Sequence, residues 1–265
     1  MSTYKNILIG KTTIYPDWNI ALNKIKKDHI IFCDFTNFEN LKEIISNKNI
    51  TYVLPLSQID YEILLLHVFN LDNKIKILFP TKEIFNLLNN KNEFTQFMLN
   101  NYIENIPEVY YLNDQKLKNI TYPAIYKPIF STNASEMQII YDNNDLIKLK
   151  KYNNIQKFIE NEYEYGAFML CIDGKIITQK IIRYKYNKYN IKKSNFPKNY
   201  EVIENLDTSI FTNIFEKLNY SGGANIDFKC DESNNIYIFE INPRFGGSAF
   251  TNNFIYELLC IPEIY

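Results

Sequence analysis

The chain has 265 residues, 46% of them hydrophobic and 22% charged, a balance that supports a sizeable globular core. A formal net charge of -1, from 29 Lys and Arg against 30 Asp and Glu, excludes a nucleic-acid binder driven by overall charge. No apolar run reaches the roughly 18 residues that a membrane helix needs, and Met1 to Gly10, with one basic residue, does not read as a signal peptide.

The first part of the sequence alternates short apolar runs with helical patterns. Strands are expected at Asn6 to Gly10, His29 to Cys33, Ile50 to Leu54 and Ile75 to Phe79. Helices are expected after a cap at Asp17, over Phe38 to Ser46 and over Gln58 to Asn70. Strands that alternate with helices imply βαβ units and a parallel sheet. The turn after Gly10 continues Lys11-Thr12-Thr13, so the G-x-G-x-x-G dinucleotide fingerprint is absent. Glu83 to Tyr102 reads as helix in two pieces, broken near Asn89-Asn90.

After Pro107 the pattern becomes antiparallel. Strands are expected at Ala124 to Pro128, Met137 to Tyr141, Ile155 to Ile159, Gly166 to Ile172 and Lys175 to Tyr184, with Asp173-Gly174 as a hairpin turn. Lys185 to Asn199 is lysine-rich and reads as a mobile loop. A helix over Asp207 to Leu218 precedes strands at Ala224 to Lys229 and Ile236 to Ile241, and a helix over Thr251 to Cys260 ends the pattern. Cys33, Cys171, Cys230 and Cys260 have no C-x-x-C spacing, which points to reduced thiols in a cytoplasm-like compartment.

The segment that carries chemistry is Ala224-Asn-Ile-Asp227-Phe followed by Glu240-Ile-Asn242-Pro-Arg244-Phe-Gly-Gly-Ser248. Asp227, Glu240 and Asn242 offer oxygen ligands only, which suits Mg²⁺ held by one or two carboxylates together with substrate phosphates. Residues 240 and 242 share a strand face because the side-chain period is two. Arg244 brings a planar fork for phosphate or carboxylate, and Gly246-Gly247-Ser248 would let the backbone approach an anion at a helix start. Lys127, in Tyr122-Pro-Ala-Ile-Tyr-Lys127-Pro, sits on an apolar strand, where a buried ammonium needs a partner and a polyphosphate would serve. His29, in an apolar strand, and His67, in an apolar helix, read as core or edge histidines, and no nucleophile triad is visible.

These segments resemble, in order and spacing, the ATP-grasp superfamily of carboxylate–amine ligases. The resemblance implies an α/β fold, α+β in its C-terminal part. An N-terminal Rossmann-like lobe over 1–88 would precede an ATP-grasp domain over 89–265. Within it, antiparallel lobes over about 108–160 and 161–265 would clamp the nucleotide. It further implies Asp227, Glu240 and Asn242 as magnesium ligands, with manganese as a substitute. Lys91 and Lys127 would hold the phosphates. Gln156, Lys157, Phe158 and Ile159 resemble the hinge that receives adenine, and Glu164, with Glu162 as competitor, resembles the acid that holds the ribose. Arg244 would meet the reacting group. Lys180 and Arg183, three apart on a strand, would face opposite sides, and Arg183, nearer the polar loop, is the preferred further substrate contact, with a salt-bridged surface arginine as the equal alternative. The implied reaction joins a small-molecule carboxylate to an amine, or less often a thiol, through an acyl phosphate. The alternative is a catalytically impaired nucleotide-binding module acting as a sensor or as a subunit of a complex. It draws on Phe130-Ser-Thr-Asn-Ala-Ser135-Glu, which has no Gly where relatives have a glycine-rich loop. No nucleic-acid or membrane partner is expected, a cytoplasmic location is, and a homodimer is the default assembly.

Overall fold

The computed structural model describes residues 6–10, 29–67, 75–111, 119–129, 136–149, 154–186, 199–245 and 248–259. The helix expected after Asp17, the glycine-free stretch 130–135, most of the loop 185–199, Gly246-Gly247 and Cys260 lie outside these residues.

The N-terminal strands β1 (Asn6–Gly10), β2 (Ile30–Cys33), β3 (Ile50–Leu54) and β4 (Lys76–Ile77) form a parallel sheet in the order β2-β1-β3-β4. Helix α1 (Phe38–Asn47) starts where the Asn37 side chain accepts the Asn40 N–H, a cap worth about 1 kcal/mol. Its Leu41 and Ile45, one turn apart, pack with Leu8, Val53 and Leu64 of α2 (Gln58–His67) in a core on this sheet. The break expected near Asn89-Asn90 separates α3 (Lys82–Asn89) from α4 (Lys91–Asn100). Asn90 serves both helices: its N–H closes on Asn86 O, and its side chain accepts from the Asn92 and Glu93 N–H groups.

A small antiparallel sheet follows, with β5 (Val109–Tyr111), β6 (Ala124–Lys127), β7 (Gln138–Ile140) and β8 (Asn154–Lys157) in the order β5-β8-β6-β7. Tyr110, Ala124, Tyr126, Ile140 and Ile155 bury one face. Period two then puts Ile125, Lys127, Asn154 and Gln156 on the other face. Helix α5 (Asn143–Ile147) follows β7.

The largest sheet is antiparallel, in the order β11-β10-β9-β12-β13, from β9 (Tyr163–Ile172), β10 (Lys175–Lys185), β11 (Tyr200–Val202), β12 (Gly222–Cys230) and β13 (Ile236–Asn242). The β9–β10 turn is the expected one: Asp173 and Gly174 both have positive φ, 51° and 80°, the signature of a two-residue primed turn. One face is covered by α6 (Ser209–Leu218), whose Phe211, Ile214 and Phe215 pack on Tyr165, Ala167, Ile226 and Phe228. On the other face Phe168, Leu170 and Ile182 pack on Ile7, Ile9 and Leu54 of the parallel sheet. Gly222, at φ 124°, runs so close to Phe79 that a Cβ would sit 2.8 Å from its Cα, so β12 can start there only as glycine. The expected C-terminal helix is instead two short ones, α7 (Ser248–Thr251) and α8 (Phe254–Leu258). They are parted at Asn253, whose left-handed φ of 64° cannot continue a helix.

The parallel sheet covers only part of that second face. The strip along β12 and β13 turns instead toward Lys127 of the small sheet and toward Lys91 at the start of α4. That space is the cleft.

Candidate active site

Two of the sequence-selected acids meet directly. Asp227 on β12 stands opposite Glu240 on β13, and Asn225 stands opposite Asn242 two pairs further along. The register shifts between Asp227 and Phe228, so that Phe228 pairs with Ile238 and Phe239 is the extra residue. This bulge resets the phase of β13. Ile238 and Ile241, three apart, both enter the core against α6, while Glu240 turns to the same side as Asp227.

Two like charges directly opposite on neighbouring strands repel. The surroundings answer with donors and a cation. Asn225 Nδ2 donates to Asp227 Oδ1 at 3.3 Å, and Asn242 Nδ2 donates to Glu240 Oε1 at 3.4 Å. Lys91 Nζ lies 3.3 Å from Glu240 Oε2. Asn225 Oδ1 is buried without a partner. Among the described residues no cluster of three or more His, Cys, Asp and Glu is present. Two carboxylates with amide oxygens beside them therefore make a hard, incomplete oxygen set, the kind that Mg²⁺ completes with phosphate and water oxygens. The residues fit that ion.

The lysines converge on the same place. Lys91, 8% exposed, is the first residue of α4, a helix end that itself favours negative charge. Its N–H donates to Ile129 O, two residues beyond Lys127. Lys127, 5% exposed, pairs in register with Asn154, and the Asn154 side chain reaches Asn92 and Thr95 on α4. Its Nζ lies 4.4 Å from the centre of the Phe239 ring. Phe239 is thus brought into the cleft by the bulge. Nothing in its sequence position signals this, because regular alternation would place it opposite Glu240.

At the far end of the cleft β8 stops at Lys157, two residues earlier than expected. The Lys157 and Phe158 N–H groups donate to Glu108 O and Pro123 O, and Ile159 O accepts from Lys229 Nζ at 3.3 Å. Lys229, which sequence reasoning missed, is on β12 two residues from Asp227. It also donates to Asn161 O at 2.9 Å and lies 5.4 Å from the Phe158 ring centre. Burial lowers its pKa, and the carboxylate of Glu164 partly opposes that shift. Glu164 therefore lies on the cleft side. Its competitor Glu162 pairs instead with Lys185 on the surface, at 3.2 Å.

Arg244 follows β13, with its N–H on Asn242 O and its Nη1 3.4 Å from Phe245 O. Arg183 is not brought to this group. It pairs across strands with Glu201 and with Tyr165, whose ring is stacked on Phe228 in the core against α6. Arg183 thus lies on the face away from Asp227. Its guanidinium is bonded by Glu201, which raises its pKa, and stacks 4.5 Å over the Tyr163 ring. Lys180 is on the opposite face, held by Glu257 at 2.7 Å and by Asn252 O. Cys230 is buried at the end of β12, its thiol pKa pushed up to about 11 by burial, and His67 stacks on Phe38 in the N-terminal lobe. Neither takes part.

A family model described as an ATP-grasp domain matches residues 88–248, more than half of the chain. The chain belongs to the ATP-grasp family. No curated protein matches the sequence, but solved structures share the fold. N5-carboxyaminoimidazole ribonucleotide synthetase from Thermotoga maritima superposes with a TM-score of 0.60 at 18% identity, covering 96% of this chain and 72% of that one. D-alanine–D-alanine ligase from Bacillus anthracis, in complex with ATP, gives 0.59 at 18% identity, over 91% and 87%. Biotin carboxylase from Campylobacter jejuni gives 0.61 at 15% identity, over 99% and 72%. As an ATP-grasp protein the chain has the parallel sheet and the two antiparallel sheets that the resemblance implied, with Lys91 beside Glu240 and Lys127 beside Phe239.

Proposed function

We propose that the chain is an ATP-dependent ligase that joins a small carboxylic acid to an amine. The observation that carries this reading is the direct register of Asp227 and Glu240 on the cleft face, with Lys91 ion-paired to one of them and Lys127 beside them. Two acids placed to repel, among buried cations, suit a cation and a polyphosphate better than they suit packing alone. Asp227, Glu240 and Asn242 would hold magnesium, which would neutralise the negative charge that develops on the transferring phosphoryl group.

Each residue's part follows from its position. Lys91 and Lys127 orient the terminal phosphoryl group. Gln156, Phe158 and Ile159 receive the base, and Glu164 accepts from the ribose hydroxyls; Lys157, exposed at the hinge, stands at its rim. A substrate carboxylate oxygen attacks the terminal phosphorus, the bond to the ADP oxygen breaks, and an acyl phosphate and ADP result. The amine then adds to the acyl carbon, loses a proton, and expels phosphate to leave an amide. Arg244, just beyond the metal strand, offers its fork to the carboxylate and then to the tetrahedral oxyanion. Arg183 does not enter this scheme, because its strand phase turns it away.

A mixture of candidate acids and amines with MgATP tests the reading by ADP release. Release should require both an acid and an amine and should vanish in Glu240→Gln. Unchanged release in that variant would contradict the metal assignment. The second reading, a nucleotide-binding module with impaired turnover, is favoured by the absence of Gly from Phe130 to Glu136, and it predicts MgATP binding with no release for any acid and amine pair.

A further inference from the structure

Gln156 is 4% exposed, and its Oε1 meets no donor. An unpaired buried acceptor is destabilising, so it marks a place where a ligand donor belongs. Strand phase turns it into the cleft. Gln156 pairs with Ile125 as Asn154 pairs with Lys127, on the face away from the Tyr126 and Ile155 core. Part of the hinge main chain beside it is engaged. The Lys157 and Phe158 N–H groups are bonded within the protein, and Ile159 O is taken by Lys229. The amide head of Gln156 is therefore one of the polar groups left to face the base.

An amide carries an acceptor and a donor on one planar head, whereas a carboxylate only accepts. Its last torsion is broad and roughly two-fold, and among the described residues nothing holds Oε1. Turned one way, the head accepts from the 6-amino group of adenine, as glutamine does in bidentate reading of that base. Turned the other way, Nε2 donates to a 6-oxo group while Oε1 accepts from the ring N1–H. The Lys229 ammonium under the hinge adds positive potential, which suits the electron-rich oxygen edge of a 6-oxopurine, with Glu164 the charge that faces it.

We propose that the nucleotide pocket of this chain accepts 6-oxopurine triphosphates, with guanine or hypoxanthine as base, alongside ATP, because Gln156 reads the purine 6-position with a head that can donate or accept. The inference rests on the nucleotide cleft of the ligase reading. Calorimetric titration with the magnesium complexes of non-hydrolysable ATP, GTP and ITP analogues tests it in wild type, Gln156→Glu and Gln156→Met. Wild type should bind the GTP and ITP analogues within about ten-fold of the ATP analogue, a gap of about 1.4 kcal/mol. Gln156→Glu should lose at least about ten-fold more affinity for the 6-oxo analogues than for ATP, since its carboxylate repels the oxo group. Gln156→Met should weaken all three alike and keeps the test decisive if melting curves show that the Glu variant does not fold. An ATP preference above about 100-fold in wild type, unchanged in the variants, would overturn this inference and leave the ligase reading standing. Failure of every analogue to bind wild type would overturn both.

Discussion

Two charged cross-strand pairs of the large sheet make opposite statements. Arg183 and Glu201 stand in register between β10 and β11, and Asp227 and Glu240 stand in register between β12 and β13. The first pair is complete in itself. Its opposite charges bond to each other, the guanidinium stacks on Tyr163, and nothing further is needed. The second pair is like-charged and leans on Asn225, Asn242 and Lys91 for relief. Within one sheet, the pair that cannot satisfy itself marks where a ligand belongs, and the self-satisfied pair marks ordinary structure.

The largest expected effect separates the two pairs in turnover. Asp227→Asn should lower ADP release by at least about 100-fold, the scale of losing an electrostatic stabiliser of developing charge. Without ligand the same variant should melt no earlier than wild type and gain up to about 1 kcal/mol, since a directly opposed like-charge pair is relieved. A marked loss of stability in the ligand-free variant would show that the pair is a structural element after all.

Next in size is the nucleotide itself. At about 100 times its dissociation constant MgATP should stabilise wild type by about 2.7 kcal/mol. Lys127→Met should remove most of that stabilisation, read as a lost rise in melting temperature. A full rise in the variant would take Lys127 out of the phosphate site.

The contrast explains how far the sequence could be read. Glu240, Asn242 and Arg244 lie on a single strand and turn, so their spacing reports their geometry directly, whereas Lys91 was reached only through the family resemblance of Asn90-Lys91 at a helix start. Which face a residue takes within a sheet is less local. Arg183 looked like a substrate contact because a strand's outward side is set by its partners, here Tyr165 and Glu201, which no local pattern names. Phe239 and Lys229 were missed for the same reason: the bulge that turns Phe239 into the cleft, and the hinge carbonyls that Lys229 binds, exist only once distant segments pair. Strand β5, helix α5 and strand β11, at three to five residues each, are too short to show a period.

A smaller effect sharpens the other half of the comparison. Arg183→Met should cost less than about 1 kcal/mol, as partly exposed ion pairs do. ADP release should stay within about two-fold of wild type, a change too small to signal a lost transition-state contact. A fall in kcat with unchanged stability would return Arg183 to the reaction.

The smallest effect is a pH dependence at the turn that joins β12 and β13. Asp231 accepts from the Ser233 and Asn235 N–H groups and from the Asn235 side chain. The Asn235 side chain is the leading cause of a pKa below the ordinary 3.8. The folded state holds this proton less tightly than the unfolded chain does. The contribution is therefore fully present above 3.8 and is lost as pH falls through the lower, folded value. Melting temperature followed downward from pH 5 should fall less steeply in Asp231→Asn than in wild type, and identical slopes would remove the turn from the acid response.

The central claim is that the Asp227–Glu240 pair is held for a magnesium-bound nucleotide. Thermal unfolding of wild type and Asp227→Asn, each with and without saturating MgATP, tests it most directly. The account predicts that wild type gains stability from MgATP, while the variant starts as stable or more so and does not respond. A variant that responds to MgATP as fully as wild type would contradict it.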